Sequence, residues 1–515
     1  MDSFTNIIAI LGLIALILLL KLWKRANHNI SKGKQVPEVA GGFPIIGHMH
    51  LLTENKSLGR IFGNFADKYG PIFSLKLGIH RAIFISDQQA LKDCFTTNDT
   101  IIAYRPPSTQ AKFVGYNNSS FGMAPYGPYW RNMRKLAATE LLSKSRTKML
   151  NYVPISELNY LMKDLYDHRK ENIDMSECIQ RMILNVITRI VAGKRVFESN
   201  IDDGGVESRG LSQIIRELID VTGQLIPGDV IPFIGWLDIK GLVKTLKNIS
   251  GEVGSIVDEW IQEHKKNVNK SEDRKDFIDV MLSQVTDDAS MGLDQATIIK
   301  GTTTTIIIAG SDTTAVTMTW ALSNLLNNKK SLHRCQEELD LKVGRNRCVQ
   351  VEDLDKLHYL SAVIKESMRL YPVGPLGVPR LASEDCHISR YYIPKGTRLF
   401  FNLWKLHRDP KVWSNPDEFI PERFLNEKSH LDVMGQNLEY LPFGAGRRYC
   451  PGTNFAMQVL SLSLARLLQG FEFATPNNEA VDMTEGQNMT MAKVFPLQLI
   501  LTPRLDKELY DQECN

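Results

Sequence analysis

Net charge is nearly absent from this 515-residue chain: 61 Lys and Arg stand against 58 Asp and Glu, a formal balance of +3. Affinity for nucleic acid through counterion release needs a basic excess, so no nucleic-acid partner is expected. Paired cysteine is missing as well. The seven cysteines, Cys94, Cys178, Cys335, Cys348, Cys386, Cys450 and Cys514, are odd in number and scattered, with no CxxC pair and no zinc-ligand spacing. They read as reduced thiols in a reducing compartment, mostly packing or surface residues. No internal repeat is visible, and no central linker is long enough to divide the chain. With 43% hydrophobic and 23% charged residues, collagenous, low-complexity and wholly disordered readings fail. The length also excludes a small regulatory module.

A long hydrophobic run occurs once. From Ser3 to Leu20 no residue is charged, and Lys21, Lys24 and Arg25 follow together. Eighteen residues at about 1.5 Å each would span roughly 27 Å, which suits the thinner bilayer of the endoplasmic reticulum. A cleaved signal peptide would carry its basic residues before the run; here Asp2 precedes it and Lys-Leu-Trp-Lys-Arg follows. The expectation is a single-pass transmembrane anchor over residues 1–25 in the lipid bilayer of the endoplasmic reticulum. The positive-inside rule then puts the rest of the chain in the cytosol, where the sequons at Asn98, Asn248 and Asn488 are chance matches. Residues 26–47 read as a polar linker and Pro/Gly hinge, although an ordinary loop has the same composition. Residues 48–515 form the remaining body.

Within that body, Ile72 to Leu77 and Arg81 to Ser86 predict an antiparallel pair across Gly78-Ile-His. Helical periodicity then dominates 129–195, 207–222, 250–285, 294–328, 330–341, 353–370 and 452–469, and short β signals return at 390–400 and 491–502. The fold class is mainly α with small β-sheets (α+β). A buried prosthetic group would help build so large a core.

The sharpest segment is Phe443-Gly-Ala-Gly-Arg-Arg-Tyr-Cys450-Pro-Gly452. Gly444 and Gly446 permit backbone angles and close approaches that a side chain forbids, and Pro451 suits the first turn of a following helix. Cys450 would then sit at a helix amino terminus, where the dipole and free amides favour thiolate over thiol. Such a thiolate is what a haem iron needs as proximal ligand, and its electron donation helps cleave an oxygen–oxygen bond. A dinucleotide loop fails its own test, because Tyr449 stands where GxGxxG needs its third glycine, and a βαβ unit and ribose-binding acid are missing. A plain surface loop remains the other alternative.

Three further patterns are weaker in isolation. Glu366 and Arg369 lie three apart on one helix face, a spacing that usually marks a solvated pair. Ala309-Gly310-Ser311-Asp312-Thr313-Thr314 falls inside an apolar helical stretch, where Gly310 costs about 1 kcal/mol against Ala. Ala309 and Thr313 share a face there, which would let the helix pass close over a flat cofactor and leave room for dioxygen. Hydroxyls bonded back to their own helix explain Thr302 to Thr305 better than this cluster. Trp130 and Arg134 also share one helical face.

Phe-Gly-x-Gly-x-Arg-x-Cys-x-Gly resembles the haem-ligand signature of the cytochrome P-450 superfamily of haem-thiolate monooxygenases, and the other signatures of that superfamily follow in order along essentially the whole chain. The resemblance implies that Cys450 is the axial iron ligand of haem b (iron protoporphyrin IX), with Phe443 beside it. It implies a buried structural triad of Glu366, Arg369 and Arg423, the last from Pro421-Glu-Arg423-Phe424, that locks the cysteine loop. Breaking one partner would cost about 3 to 5 kcal/mol, enough to lose haem. Asp312 and Thr313 become the catalytic acid and alcohol that relay protons. Trp130, Arg134, Arg380 and Arg448 become partners of the two haem propionates, with Arg105 a further candidate, since buried carboxylates need cations. Arg447 would face an acidic redox partner.

Val36 through His48 and Ala124-Pro-Tyr-Gly-Pro-Tyr-Trp130 resemble plant members, in particular the plant eighty-two family, which implies specialised metabolism. By that analogy Phe113, Phe121, residues 221–233, Ala309, Leu376, Val378 and Phe495 shape a largely apolar pocket for a small-molecule lipophilic substrate, with Asp229 the one acid in these spans suited to an amine. The expected activity is hydroxylation, or oxidative coupling or demethylation, of an alkaloid in first place and of a coumarin, flavonoid or terpenoid as the alternative. Dioxygen and NADPH-derived electrons delivered by NADPH-cytochrome P-450 reductase would drive it. A haem-thiolate isomerase or dehydratase and a non-catalytic haem protein are the rival classes; neither needs the Asp312 and Thr313 pair.

Overall fold

The alternating segment after residue 70 folds into the hairpin its pattern predicts. The computed structural model describes residues 12, 33–52, 56–201, 211–222, 224–238, 241–266, 275–288 and 290–511. In it β1 (Ile72–Leu77) and β2 (His80–Ile85) pair antiparallel, with Leu77 opposite His80, around Gly78 at φ +58°. β2 then runs parallel to β7 (Arg398–Phe401), and β4 (Arg380–Leu381) closes a sheet of order β1-β2-β7-β4. A second sheet joins β3 (Ile173–Asp174), β9 (Gln498–Pro503) and β8 (Phe471–Ala474), and β5 (Cys386–Ile388) pairs with β6 (Tyr391–Ile393). The β signal expected over 491–502 is narrower than its apolar pattern, because pairing with β8 begins at Ile500 and with β3 at Gln498.

Twelve α-helices of eight residues or more build the rest of the described chain: α1 (Leu58–Tyr69), α2 (Gln88–Phe95), α3 (Pro128–Glu140), α4 (Tyr152–Asp167), α5 (Met175–Ala192), α6 (Leu211–Thr222), α7 (Leu242–Lys266), α8 (Phe277–Gln284), α9 (Gln295–Asn327), α10 (Lys329–Lys342), α11 (His358–Leu370) and α12 (Thr453–Gly470). The stretch 129–195, expected as one helical block, is cut into pieces by its own caps. Ser143 accepts from the Arg146 amide and Asp174 from the Glu177 amide, each side chain starting a new helix. Asp276 does the same inside 250–285, in a reciprocal capping box with Asp279.

α9 runs 33 residues, about 50 Å at the helical rise, through the middle of the molecule. Asp294 caps its start, and α5 packs along it. Its last turns, from Thr314 to Leu326, are buried throughout, with Trp320 among the largest fully buried side chains. The main apolar core surrounds this helix, and a smaller cluster containing Phe73, Phe84 and Leu376 sits against the first sheet.

The expected anchor at residues 1–25 lies outside the described residues, apart from Gly12. Among the described residues no helix is long and apolar enough to cross a membrane. Of the linker and hinge, the described part lies along β1: Ser74 donates to the Pro37 carbonyl and Val39 to that of Ser74. Gly47, at φ +60°, tucks so close that a Cβ would meet the Lys76 carbonyl oxygen at 2.3 Å.

Candidate active site

Helix α9 is buried at both ends of its middle third, yet Ala309 is exposed and Thr305, Ile306, Ile308, Asp312 and Thr313 are half-buried. One stretch of the central helix, around Ala309, is therefore accessible while the turns after it are buried. Gly310 does not contribute to that accessibility: a Cβ there would approach Ile187 of α5 at 3.0 Å, so its glycine serves the packing of two helices. The Thr313 hydroxyl donates to the Ala309 carbonyl at 2.7 Å, and Ser311, Thr314, Thr317 and Thr319 bond back one turn in the same way. This reverses the expectation for the upstream threonines. Among the described residues, the buried hydroxyls of Thr302 and Thr303 have no partner, and Thr305 donates across to Ser120.

Asp312 is the unusual acid of this face. Burial pushes its carboxyl up to about 6, against a hydrogen bond from Thr490 and with the charge of Asp220 adding to the rise. Its buried Oδ2 accepts no hydrogen bond among the described residues.

The cysteine loop closes on itself. The Cys450 amide donates to the Phe443 carbonyl at 3.1 Å, Tyr449 to Gly446 at 2.9 Å, and the Thr453 hydroxyl to the Cys450 carbonyl at 3.0 Å. Gly444 (φ +72°) has open space around a would-be Cβ, so it is needed for its backbone angle alone. Gly446 (φ +67°) is needed for room too, since a Cβ would meet Asp99 Oδ1 at 2.5 Å. Asp99, which sequence reasoning missed, accepts the Arg447 amide through both oxygens at 3.1 Å. The helix after the loop begins at Thr453 with Gly452 as its cap, so Pro451 lies outside the first turn. Burial raises the Cys450 thiol, and the opposing contributions of the Gly452 amide, the Thr453 hydroxyl and Arg134 do not outweigh it. The Gly452 amide at the helix end thus pulls the thiol in the expected direction, and burial pulls it the other way.

Four guanidiniums converge beside this loop. Arg105 donates to the carbonyls of Val378 and Pro379 at 2.8 and 2.9 Å. Arg380 donates to Ala445 at 2.8 Å, and Arg448 to Ala103, Phe121 and Ala124 at 2.7, 3.2 and 2.6 Å. Arg134 reaches the Tyr449 carbonyl and lies over the buried Trp130 ring, which Arg448 also covers at 4.5 Å. None of the four is hydrogen-bonded to a carboxylate among the described residues; the nearest acid, Asp99, is 3.8 Å from Arg380. Burial and mutual repulsion pull Arg448 down to about 9, and burial pulls Arg380 down to about 10 with Arg134 adding to it. Arg105 falls well below the usual range for the same reasons, with Arg448 and Arg380 pressing on it. Arg380 Nη1 is buried without a hydrogen-bond partner among the described residues. A donor set of this kind fits a ligand carrying two carboxylates.

The triad is assembled with full burial. Arg369 grips Glu366 through two bonds of 2.8 Å, and Arg423 approaches the same carboxylate at 3.3 Å. The remaining Arg369 donors go to the carbonyls of His407, Pro416 and Glu418, those of Arg423 to the Ser414 hydroxyl and the Asn415 carbonyl, and the Ile420 amide bonds Glu366 at 2.8 Å. His407, another residue the sequence did not single out, links this network to the cysteine loop. Its carbonyl accepts from Arg369, and its Nε2 accepts from the Leu441 amide at 2.9 Å. Burial, with Arg369 and Arg408 nearby, holds the ring neutral, its pKa lowered to about 3.

The expected pocket residues divide. Phe121 is buried and its carbonyl holds Arg448; Phe113 packs half-buried on the main core; Val378 and Phe495 are exposed. Leu376 is turned into the sheet-side cluster instead. Asp229 is not open to an amine, because its two oxygens already accept the Thr109 amide at 2.9 and 3.0 Å and its hydroxyl at 2.7 Å. Arg447 is exposed and borders a basic groove with Tyr126, Arg131, Arg134 and Lys135.

Residues 37–501 match the family model for cytochrome P-450. Cytochrome P-450 CYP82J17 of Trigonella foenum-graecum is 45% identical, covering 99% of this chain and 100% of its own. A flavonoid-6-hydroxylase of Mentha piperita is 42% identical over 99% of this chain and 100% of its own, and a vinorine hydroxylase of Rauvolfia serpentina 41% identical over the same shares. Among solved structures, a zebra fish cytochrome P-450 with progesterone superposes with a TM-score of 0.74 at 27% identity, covering 87% of this chain and 99% of that one.

Proposed function

This chain belongs to the cytochrome P-450 family, and on that premise we propose how its residues divide the work of a plant monooxygenase acting on specialised metabolites. The family brings a haem cofactor, dioxygen and reductase-derived electrons. The observation that supports the assignment of residues is the cluster of four guanidiniums, Arg380 buried and Arg105, Arg134 and Arg448 half-buried, with no hydrogen bond to a carboxylate among the described residues, beside a cysteine loop.

Cys450 Sγ would ligate the haem iron, whose positive charge would favour the thiolate against burial. Arg105, Arg134, Arg380 and Arg448, with Trp130, would hold the two propionates, and Phe443 would lie beside the haem. The haem supplies the oxygen chemistry, in which dioxygen, two electrons and two protons yield one oxygen atom inserted in substrate and one water.

The chain's own contribution to that balance is the protons. With a carboxyl near 6, Asp312 accepts and releases a proton close to neutral pH, where an ordinary aspartate would stay ionised. Thr313 donates to the Ala309 carbonyl, which fixes its hydroxyl oxygen as an acceptor facing the opened side of α9. Since adjacent helix residues do not face each other, a proton passing from Asp312 would reach the Thr313 hydroxyl through intervening water. The rival isomerase reading makes no use of this pair.

Phe113, Phe121, Ala309, Val378 and Phe495 line the substrate side, with Leu376 acting through the sheet behind it. The substrate is a small lipophilic metabolite, an alkaloid first, in line with the vinorine hydroxylase among the relatives, and a flavonoid or coumarin next. Since Asp229 is engaged, recognition rests on apolar shape rather than on an ion pair with that acid. Electrons come from NADPH-cytochrome P-450 reductase docked on the basic groove at Arg447, and residues 1–25 anchor the protein in the endoplasmic reticulum with its catalytic body in the cytosol. The test is turnover of an alkaloid, flavonoid, coumarin and terpenoid panel by the full-length protein with reductase and NADPH. Oxidised product that requires NADPH and vanishes with Cys450→Ala is expected; product formed from hydroperoxides without NADPH would contradict it.

A further inference from the structure

Asp99 meets the cysteine loop from 348 positions upstream and stands between two arginines. Its own backbone is fixed. The side chain of the buried Asn98 donates to the Asp93 and His387 carbonyls at 3.2 and 2.8 Å, and the Asn98 carbonyl accepts the Ile102 amide at 3.0 Å. From that seat the Asp99 carboxylate takes the Arg447 amide on both oxygens at 3.1 Å, in the space that a Cβ on Gly446 would fill. Two carbonyls of the same loop go to cations, that of Ala445 to Arg380 at 2.8 Å and that of Tyr449 to Arg134. The loop is thus held by side chains of both signs.

The same carboxylate has a charge to share. Outward, Arg447 Nε lies 3.6 Å from Oδ2, on a side chain that is 47% exposed; inward, Arg380 Nη1 lies 3.8 Å from Oδ1, on a buried one. Both separations are too long for a hydrogen bond and short enough for attraction between charges. Arg380 Nη1 has no hydrogen-bond partner among the described residues, and Asp99 is first among the charges that hold the Arg380 pKa up against burial. How much positive charge Arg380 presents to a ligand therefore depends on how much of Asp99 the outer arginine neutralises.

We propose that Asp99 is a positioning residue for the haem seat: its oxygens pin the cysteine loop at the Arg447 amide, and its charge, divided between Arg447 and Arg380, sets the reduction potential of the bound group. The proposal rests on the reading of that site as a haem site. Reduction adds one negative charge, which Arg380 favours and Asp99 opposes.

The experiment measures the reduction potential of the full-length holoprotein by redox titration of its Soret band, together with amide exchange at Arg447. Asp99→Asn keeps an oxygen for that amide but removes the charge. It is expected to raise the ratio of reduced to oxidised haem at a fixed potential by about tenfold, with exchange unchanged within about threefold. Asp99→Ala also removes the brace, and exchange at Arg447 should then quicken by about tenfold. Arg447→Gln keeps the amide and is expected to lower the ratio by roughly threefold, since Asp99 then acts on Arg380 alone. With Asp99→Asn beside it, that shift should vanish. An unchanged potential in Asp99→Asn would leave Asp99 a loop brace and overturn the proposal, as would an Arg447→Gln shift of equal size with and without Asp99. If Asp99→Asn loads no haem, Arg447→Gln decides alone, and an unchanged potential there overturns the sharing of charge. A parent without a haem band would overturn the haem reading instead, and the brace then stands or falls on whether Asp99→Ala speeds exchange at Arg447.

Discussion

Among the described residues, the arginines around Glu366 and those beside the cysteine loop differ in what balances them. Around Glu366, Arg369 and Arg423 surround a carboxylate that is 0% exposed, and the Arg369 donors left over reach carbonyls of residues 407–418. Around the cysteine loop, four guanidiniums donate hydrogen bonds to carbonyls, with Asp99 3.8 Å from Arg380 as the nearest acid, and burial pulls Arg448 and Arg380 down to about 9 and about 10. The first cluster is complete within the chain. On the proposed function the second would be completed by the haem propionates. Buried charge of the first kind marks a brace and of the second kind a ligand site, and the distinction follows from counting partners rather than from burial.

Breaking the complete cluster should have the larger effect. Glu366→Ala strands two buried cations and is expected to cost about 3 to 5 kcal/mol, seen as lost haem incorporation and a lower unfolding temperature. Asp312→Asn follows, since it removes the one buried carboxyl on the open face of α9. Turnover is expected to drop about a hundredfold, and the limb of the pH profile near 6 to disappear. The sign for stability is the reverse of a paired aspartate. The folded-state value of about 6 lies above the ordinary 3.8, so the ionised form costs stability, an effect absent below that ordinary value and complete above the folded one. Asp312→Asn should therefore flatten the loss of stability between those two pH values in haem-free protein.

Arg380→Leu sharpens the contrast further. In the haem-free protein it removes a buried cation whose nearest acid, Asp99, is 3.8 Å away, and should leave unfolding unchanged or raise its midpoint, whereas haem dissociation should quicken by roughly ten- to a hundredfold, the worth of one charged hydrogen bond. A lowered haem-free midpoint would place Arg380 with the brace. The smallest effect is expected from Arg447→Ala. Its exposed guanidinium faces Asp99 at 3.6 Å, so haem retention should change by less than about 1 kcal/mol.

The cysteine loop was legible in the sequence because its determinants are contiguous: two glycines with positive φ and one cysteine within seven residues leave few alternatives. The triad was only half legible. Glu366 and Arg369 share a helix face by spacing, but Arg423 arrives from 57 positions away, and nothing short of family resemblance joins it to them. Contacts of still longer reach stayed hidden. Asp99 meets Arg447 across 348 positions and Thr109 meets Asp229 across 120, and neither acid carries a local mark of its partner. The helical block at 129–195 was overextended for a different reason, since Ser143 and Asp174 look like interior polar residues until their caps are seen. For the Cys450 thiol, the helix end that favours thiolate is readable in sequence, while the burial that opposes it is not.

The account's central claim is that Cys450 and the uncompensated guanidinium cluster together form the seat of a haem. The difference spectrum of the reduced, carbon-monoxide-bound full-length protein tests it most directly, taken beside Cys450→Ala. The account predicts the red-shifted Soret band of thiolate-ligated haem in the parent and its loss in the variant. A folded parent that binds no haem, or a band unchanged by Cys450→Ala, would contradict it.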